Sequence, residues 1–459
     1  MRRSYAAAIA VFVSVLATVA LGQEAAPGGA AVVEPAAVVA PTPIGAPAPQ
    51  AQETSSAGEP ASFTGQVYGY IAPYVEKVIN PPVTLGSAAT LTKPETQSEL
   101  YAFDITNLNV MFQGTVGTRY RYFLNLAGPG GDPVNDSPIV VRNAWLEAAL
   151  LGDYLTVRAG KTYRMWGIYN EILDAMPTFI GIEPPEMFDK DHLMITRVTN
   201  LVLHGQASFE QFGVQYAMAT GNDERDFDGT REQLPLGLDL RLSIGDLVTV
   251  GADYYTTGGN AKPSRGVGDG SPDGGVINWM DHDNYRVYGA FAQTSWHGIV
   301  LQIEGAYATH KAMRDAAAVM QIDQATLNDT QRARFWSDPS APTFDNVIPF
   351  VSYVVQTYYV RAGYELQLRG EATLTPYAQW DYYSNPETIW KKKFGGDKEA
   401  GMTDDGKFMK YTVGAVYRPI SAVALKLDGS MHDQTIAGAT LRYPEVRLSF
   451  SYFWELASL

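Results

Sequence analysis

The sequence predicts an all-β protein, a sixteen-stranded antiparallel transmembrane β-barrel with short periplasmic turns and long external loops. Three observations predict it. Apolar and polar residues alternate along most of the chain, as in "GLDLRLSIGDLVTVGADYY" from Gly237 to Tyr255, where Leu238, Leu240, Leu242 and Ile244 oppose Asp239, Arg241 and Ser243. The connections between such runs are sorted, tiny and long by turns. Mean hydropathy is slightly polar at −0.12, too low for a helical membrane protein and natural for a barrel in which only alternate strand residues meet lipid.

The N-terminus reads as an address. Arg2 and Arg3 precede an apolar core from Ala6 to Leu21, and Ala20-Leu21-Gly22 offers small residues for cleavage, so residues 1–22 are expected to be a secretory signal peptide. The apolar run is short for a membrane anchor, and no later stop-transfer segment accompanies it. From 23 to 60 the chain is Ala, Pro, Glu and Gly, as in "APTPIGAPAPQAQETSSAGEPA", with too few large apolar side chains to offset the entropy of ordering. That segment is expected to be a disordered tether, leaving 61–459 for the barrel. The 459 residues include no cysteine, which excludes a disulfide scaffold and a lipid-modified lipoprotein. A formal charge of −15 argues against a nucleic-acid partner, whose phosphates require a concentrated basic surface.

Sixteen alternating runs fall near 62–74, 99–113, 118–126, 139–150, 154–162, 198–208, 212–220, 234–244, 247–257, 284–296, 299–309, 351–367, 371–383, 408–418, 421–432 and 443–454. Their lengths suit a tilted membrane-crossing strand of about 9 to 11 residues. Tight turns such as Leu151-Gly152-Asp153, Gly245-Asp246, His297-Gly298, Arg369-Gly370 and Pro419-Ile420 alternate with polar loops at 258–283, 310–349 and 384–407. One rim of an outer-membrane barrel has short turns and the other long loops. Hydrocarbon offers no hydrogen bonds to an open sheet edge, so the strands must close on themselves. Lipid-facing rows then include Tyr120, Tyr122, Leu124 and Leu126; Ile299, Leu301, Ile303 and Tyr307; Val423, Leu425, Leu427 and Met431; and Val446, Leu448, Phe450 and Tyr452. Pro73 and Pro376 fall inside strands and call for bulges or shifted boundaries.

A cation on the lipid face costs roughly 2 to 4 kcal/mol at mid-membrane, so energy and strand parity together turn Arg119, Arg121, Arg158, Arg241, Arg286, Arg361, Lys410, Arg418, Lys426 and Arg447 toward water. Arg142 keeps parity with Ala144, Leu146 and Ala148 and is expected to snorkel at the outer rim. Inward acids include Asp239, Glu304, Glu365, Asp381, Asp428 and Glu445. Such opposite charges either pair and stiffen the wall or shape a field across the lumen, and the two roles are compatible.

With the signal peptide, the sixteen alternating strands, the sorted connections and a long loop after the fifth strand, the chain resembles the Gram-negative porin family over nearly all of its length beyond the tether. "NAWLEAALLGDYLTVRAGKTYRMWG" is also similar to the phosphate-selective porin O and P group. The sequence departs from the family at its end, where Phe453-Trp454 is followed by Glu455-Leu456-Ala457-Ser458-Leu459 instead of closing on an aromatic residue. The resemblance implies a homotrimer in outer-membrane lipid and a third loop, here 163–191, folded into the lumen. In that loop Trp166, Ile168, Ile172, Met176 and Phe179 would pack on the inner wall, while Glu171, Asp174, Glu183 and Glu186, with Asp189 and Asp191, would supply the acidic side of a constriction.

Barrels of sixteen strands leave a water-filled passage, whereas those of about eight fill with side chains. The expected function is therefore passive diffusion of small hydrophilic solutes or ions, with a preference for anions and with no enzyme chemistry, cofactor or metal. The alternatives are a plugged structural or adhesive barrel and an outer-membrane hydrolase. For the latter, "WMDHDNY" with Asp281, His282 and Asp283 is the best local cluster, but it has no identified nucleophile. "GNDERDFDGT" gathers Asp223, Asp226 and Asp228 without the EF-hand spacing for Ca²⁺. Lys311 to Trp336 has helical composition and is expected to form a short helix in an external loop.

Overall fold

A computed structural model of the chain describes residues 63–79, 100–128, 139–172, 197–222, 234–259, 275–322, 329–387, 407–436 and 439–458, with the short pieces 82–83, 95–96, 180–182, 184–185, 193–194, 261–262, 272–273 and residue 327. The expected signal peptide and tether, and Asp223, Asp226 and Asp228, lie outside the described residues.

Sixteen antiparallel strands form one sheet. They are β1 (Phe63–Val78), β2 (Leu100–Val116), β3 (Tyr120–Ala127), β4 (Val140–Leu151), β5 (Leu155–Tyr163), β6 (Arg197–Phe209), β7 (Phe212–Asn222) and β8 (Leu236–Ile244). The second half comprises β9 (Val248–Thr256), β10 (Met280–Trp296), β11 (Ile299–Arg314), β12 (Phe350–Tyr364), β13 (Thr373–Ser384), β14 (Lys407–Ile420), β15 (Val423–Ile436) and β16 (Ala439–Ser458). The two-residue Leu366–Gln367 extends β12 along β13. Each strand pairs with its neighbours in the chain, and β16 pairs with β1 from Gln66 opposite Ser458 to Val78 opposite Glu445, which closes the ring. Closure leaves no exposed edge, the condition for a sheet in hydrocarbon.

The tight turns after β2, β4, β6, β8, β10, β12 and β14 lie at one rim, and the short link from β15 to β16 lies at the other. At His297-Gly298 both residues have positive φ, 48° and 83°, the type I′ geometry whose twist matches that of the strands it joins. Pro73 sits at a register shift between β1 and β2, where its missing N–H costs no ladder bond. Pro376 keeps register with Ala415 of β14 and lies across from Tyr364, where the pairing of β12 with β13 is interrupted before its two-residue extension. At the C-terminus, β16 runs on to Ser458, and Leu456 is bulged out between Val67 opposite Ala457 and Tyr68 opposite Glu455. The chain end that departs from an aromatic terminus is thus part of the ladder. The alternation above the bulge puts Phe453 in register with the buried Tyr70, beside the buried Ser449 and Ser451.

The outer face is apolar. Leu238, Leu240, Leu242 and Ile244 of β8 are 41 to 47% exposed, whereas Asp239 between them is 5% exposed, because here the exposed side chains meet lipid and the covered ones face the interior. Tyrosines mark both edges of this band. Tyr254, Tyr288 and Tyr307 are in register on the outer faces of β9, β10 and β11, and Tyr358 stacks on Tyr382 at 4.6 Å. Toward the short-turn rim come Tyr120, Tyr154, Tyr364, Tyr417 and Tyr452. Tyr358 to Tyr364 spans six steps of β12, about 20 Å along the strand at roughly 3.3 Å per residue, which is on the scale of the apolar band.

Several strands outrun the alternation expected for them: β10 begins at Met280, β11 continues to Arg314, and β16 covers Ala439–Ser458. Above the membrane, strand pairing continues without apolar alternation, so the sequence pattern stops before the ladder does. Between β11 and β12 the expected helix is split into α1 (Ala316–Val319), capped by the Asp315 side chain accepting from the Ala317 N–H, and α2 (Asp329–Phe335). Trp279, Phe335 and Trp336 pack with Tyr285, Val287, Tyr353 and Val355 of the inner wall, filling one side of the external mouth with an aromatic core. Arg314 fastens this cap, donating two bonds of 2.8 Å to the Glu387 carboxylate and others to the Arg334 and Ile348 carbonyls.

Candidate functional site: the charged lumen

Strand parity brings charged side chains of β3 to β6, β8, β9 and β11 to β16 to one interior surface. On β3 to β6, Glu147 accepts from Arg158 Nε at 2.9 Å, pairs with Arg121, and lies 2.9 Å from His204 Nε2. The Arg158 guanidinium also stacks 4.3 Å over the Trp145 ring. On β15 and β16, Arg447 pairs with Glu445 at 3.0 Å and faces Asp428, while His432 Nε2 is 2.9 Å from Glu445. Lys410 of β14 is buried, in register with Asp381 on one side and His432 on the other. Arg418, of the same parity, is half-buried. Arg361 of β12 is buried and donates to Gln379 Oε1 at 2.5 Å and to the Tyr169 hydroxyl. Arg241 of β8 is held by Asp239 at 2.9 Å and by Glu171 at 2.6 Å.

Glu171 belongs to the long segment after β5, whose described residues lie against inward-facing side chains. The Gly167 N–H donates to Asp253 Oδ1 at 3.2 Å and the Ile168 N–H to Glu304 Oε2 at 3.2 Å. The Tyr169 hydroxyl donates to Gln302 at 2.6 Å, and Trp166 is buried against Gly289 of β10. Gly167 has φ of +57°, and a Cβ there would sit 1.6 Å from Glu304 Oε1, so only glycine permits this approach. On the wall of β13 to β15, Lys426 donates to the Gly181 carbonyl at 2.8 Å, the Ile182 N–H donates to Asp428 Oδ2 at 3.4 Å, and Ile180 packs on Tyr377, Val416 and Ala424. One segment therefore contacts β8 to β12 at one end and β13 to β15 at the other, inside the ring. Asp174, Glu183 and Glu186, and the side chains of Ile172, Met176 and Phe179, lie outside the described residues.

Two expected lumen cations are placed elsewhere. Arg286 is exposed on the outer face of β10, while its neighbours Tyr285 and Val287 are fully buried inside. Both faces of β10 are apolar at this height because the cap fills the mouth, so alternation there fails to report which side is wet. Arg286 lies one outward position beyond Tyr288, on the external side of the tyrosine band, where a cation escapes the mid-membrane cost. Arg119 is exposed in the 117–119 turn, below the lumen wall. Arg142 is the extra residue at the register shift between β3 and β4, at the external end of β4. Beside it Lys161, outward on β5, bends to donate to the Val141 carbonyl at 2.8 Å.

The residues that fasten the inner segment, Asp253, Gln302, Gln379 and Tyr169, were not singled out by sequence. Asp253 had a readable signal. It stands directly opposite Asp239 in the β8–β9 register, and like charges so placed repel unless a donor or cation joins them. The hydrolase cluster is divided: His282 stays at the half-exposed surface, 2.9 Å from Asp281, whereas Asp283 turns inward to His310 at 2.7 Å and accepts from the Tyr353 hydroxyl.

No protein-family model and no curated protein sequence matches the chain. Among solved structures it is similar to the anion-selective porin from Comamonas acidovorans, with a TM-score of 0.51 and 14% identity over 86% of this chain and 100% of that one. It is also similar to the outer membrane channel DcaP of Acinetobacter baumannii, with a TM-score of 0.49 and 11% identity over 88% of this chain and 100% of that one. At these identities the likeness concerns architecture: the chain has the closed sixteen-stranded barrel of the outer-membrane porins.

Proposed function

We propose that the protein is an outer-membrane porin, a water-filled channel through which small hydrophilic solutes and ions diffuse passively. The observation that carries this reading is the sorting of one closed ring into an apolar outer band and an inner wall lined by Arg158, Arg241, Arg361, Lys410, Lys426 and Arg447. A wall of paired charges orders water and admits polar solutes, whereas an inert plug would be filled with apolar side chains. The segment carrying Glu171 narrows the passage, with Asp174, Glu183 and Glu186 as its further acids. The β12–β15 wall carries four cations, Arg361, Lys410, Arg418 and Lys426, against Asp381, Asp428 and, near Arg418, Glu365, a small positive excess. This excess supports anion preference, as does the likeness to a porin that is itself anion-selective. Homotrimers are the expected assembly, and chemical cross-linking in detergent should yield a three-chain species.

The deciding experiment is the reversal potential of the purified chain in a planar bilayer across a salt gradient. A potential of the sign set by chloride is expected. Cation preference would overturn the anion assignment, and a membrane that stays electrically silent would favour the plugged structural barrel.

A further inference from the structure

We propose that the inner wall over β16 and β1 to β5 is a stacking track for ring-bearing carboxylates, an inference that rests on the channel reading above. The interior of a conducting barrel is ordinarily polar. Here a row of aromatic residues runs along it. Phe453 of β16 lies 5.6 Å from the Tyr68 ring of β1, and Phe123 of β3 stacks on Trp145 of β4 at 5.6 Å and 25°. Met111 of β2, paired with Tyr68 on one side and Asn125 on the other, joins the two halves. Phe123 and Met111 are covered and Arg158 lies over the Trp145 ring, but Tyr68 and Trp145 are half-buried and Phe453 is 36% exposed, so the row presents ring surface and edges to the passage.

Charge at the β3–β5 end is the second observation. Glu147 is the shared carboxylate of Arg121, Arg158 and His204, so two guanidinium groups meet one acid, and Arg158 lies flat on Trp145. The Arg121 side chain is 31% exposed and is the accessible cation beside the rings. Glu455 sits at the opposite end, in register with Tyr68, and repels an anion there. A solute with an apolar ring and one carboxylate therefore fits in one orientation, ring on the track and charge toward Arg121. A sugar fits less well. The Tyr68 hydroxyl already donates to Gln113 and Gln113 to Gln66, which occupies the row's hydrogen-bonding groups.

Single channels of the full-length protein in KCl, titrated with benzoate, acetate or benzyl alcohol at equal concentration, test this. Benzoate is expected to interrupt or reduce the KCl current at concentrations where acetate and benzyl alcohol do not. Trp145→Leu and Arg121→Gln should each weaken the benzoate effect roughly fivefold, the scale of one lost stacking or charged contact. The comparison of the three solutes on the unaltered protein needs no variant to fold. Normal KCl current with benzoate indistinguishable from acetate, or a benzoate effect unchanged in Trp145→Leu, overturns this inference alone. Absence of KCl current overturns the channel reading and this inference with it.

Discussion

Glu147 is one buried carboxylate holding two arginines and a histidine at the inner ends of four strands. Removing it strands Arg158, whose side chain is buried in the wall, the costly way to break a buried ion pair. Glu147→Ala is expected to destabilise the barrel by about 3 to 5 kcal/mol, and Glu147→Gln, which keeps an acceptor, by less. The loss of mobility-shifted folded barrel on heating in SDS gels measures both; equal heat resistance of Glu147→Ala and the unaltered protein would show that the network adds nothing. Arg286→Leu is the contrast, since Arg286 is exposed beyond the tyrosine band and should change that transition little. The charge of these residues was readable from sequence, and so was the parity of most. Parity failed at Arg286 because Tyr285, Val287 and Phe291 are apolar inside while Tyr288, Ala290 and Ala292 are apolar outside.

At the scale of the element, the segment after β5 is fastened through its backbone, with N–H groups of residues 167 and 168 aimed at wall carboxylates. A side chain at 167 would displace Glu304, so Gly167→Ala should detach this end of the segment. The expected outcome is a larger and noisier single-channel current with an unchanged folded barrel. A current identical to that of the unaltered protein would mean that these bonds do not set the width of the passage. Sequence suggested the segment by its length and its apolar residues, Trp166 above all. The anchors were hidden for a physical reason: backbone donors carry no sequence signature, and Asp253 gains its role only when β9 is laid in register beside β8. The cap over β10 to β12 was hidden too. Phe335 and Trp336 lie about fifty residues beyond Trp279 and the wall residues Tyr285 and Val287, and only the fold of the loops makes them one core.

At the scale of the whole molecule, the two faces of the barrel are two solvents, and period-two alternation is what the chain needs to satisfy both. That is why all sixteen strands can be found by alternation in the sequence, while their outer ends, already in water, cannot. The same separation predicts how the ring responds to charge. Leu240, Leu242 and Ile244 lie on the lipid face of β8 at successive steps toward the turn at Gly245, and Ser243 lies between them with its side chain on the lumen side. Leu240→Arg should cost about 2 to 4 kcal/mol of barrel stability. The cost should fall through Leu242→Arg to Ile244→Arg, whose long side chain reaches the interface. Ser243→Arg enters water and should be tolerated. Urea or guanidinium unfolding in lipid vesicles, followed by tryptophan fluorescence, ranks the four variants. If Ser243→Arg proved as damaging as Leu240→Arg, the assignment of wet and oily faces would fail, and with it the passage through the ring.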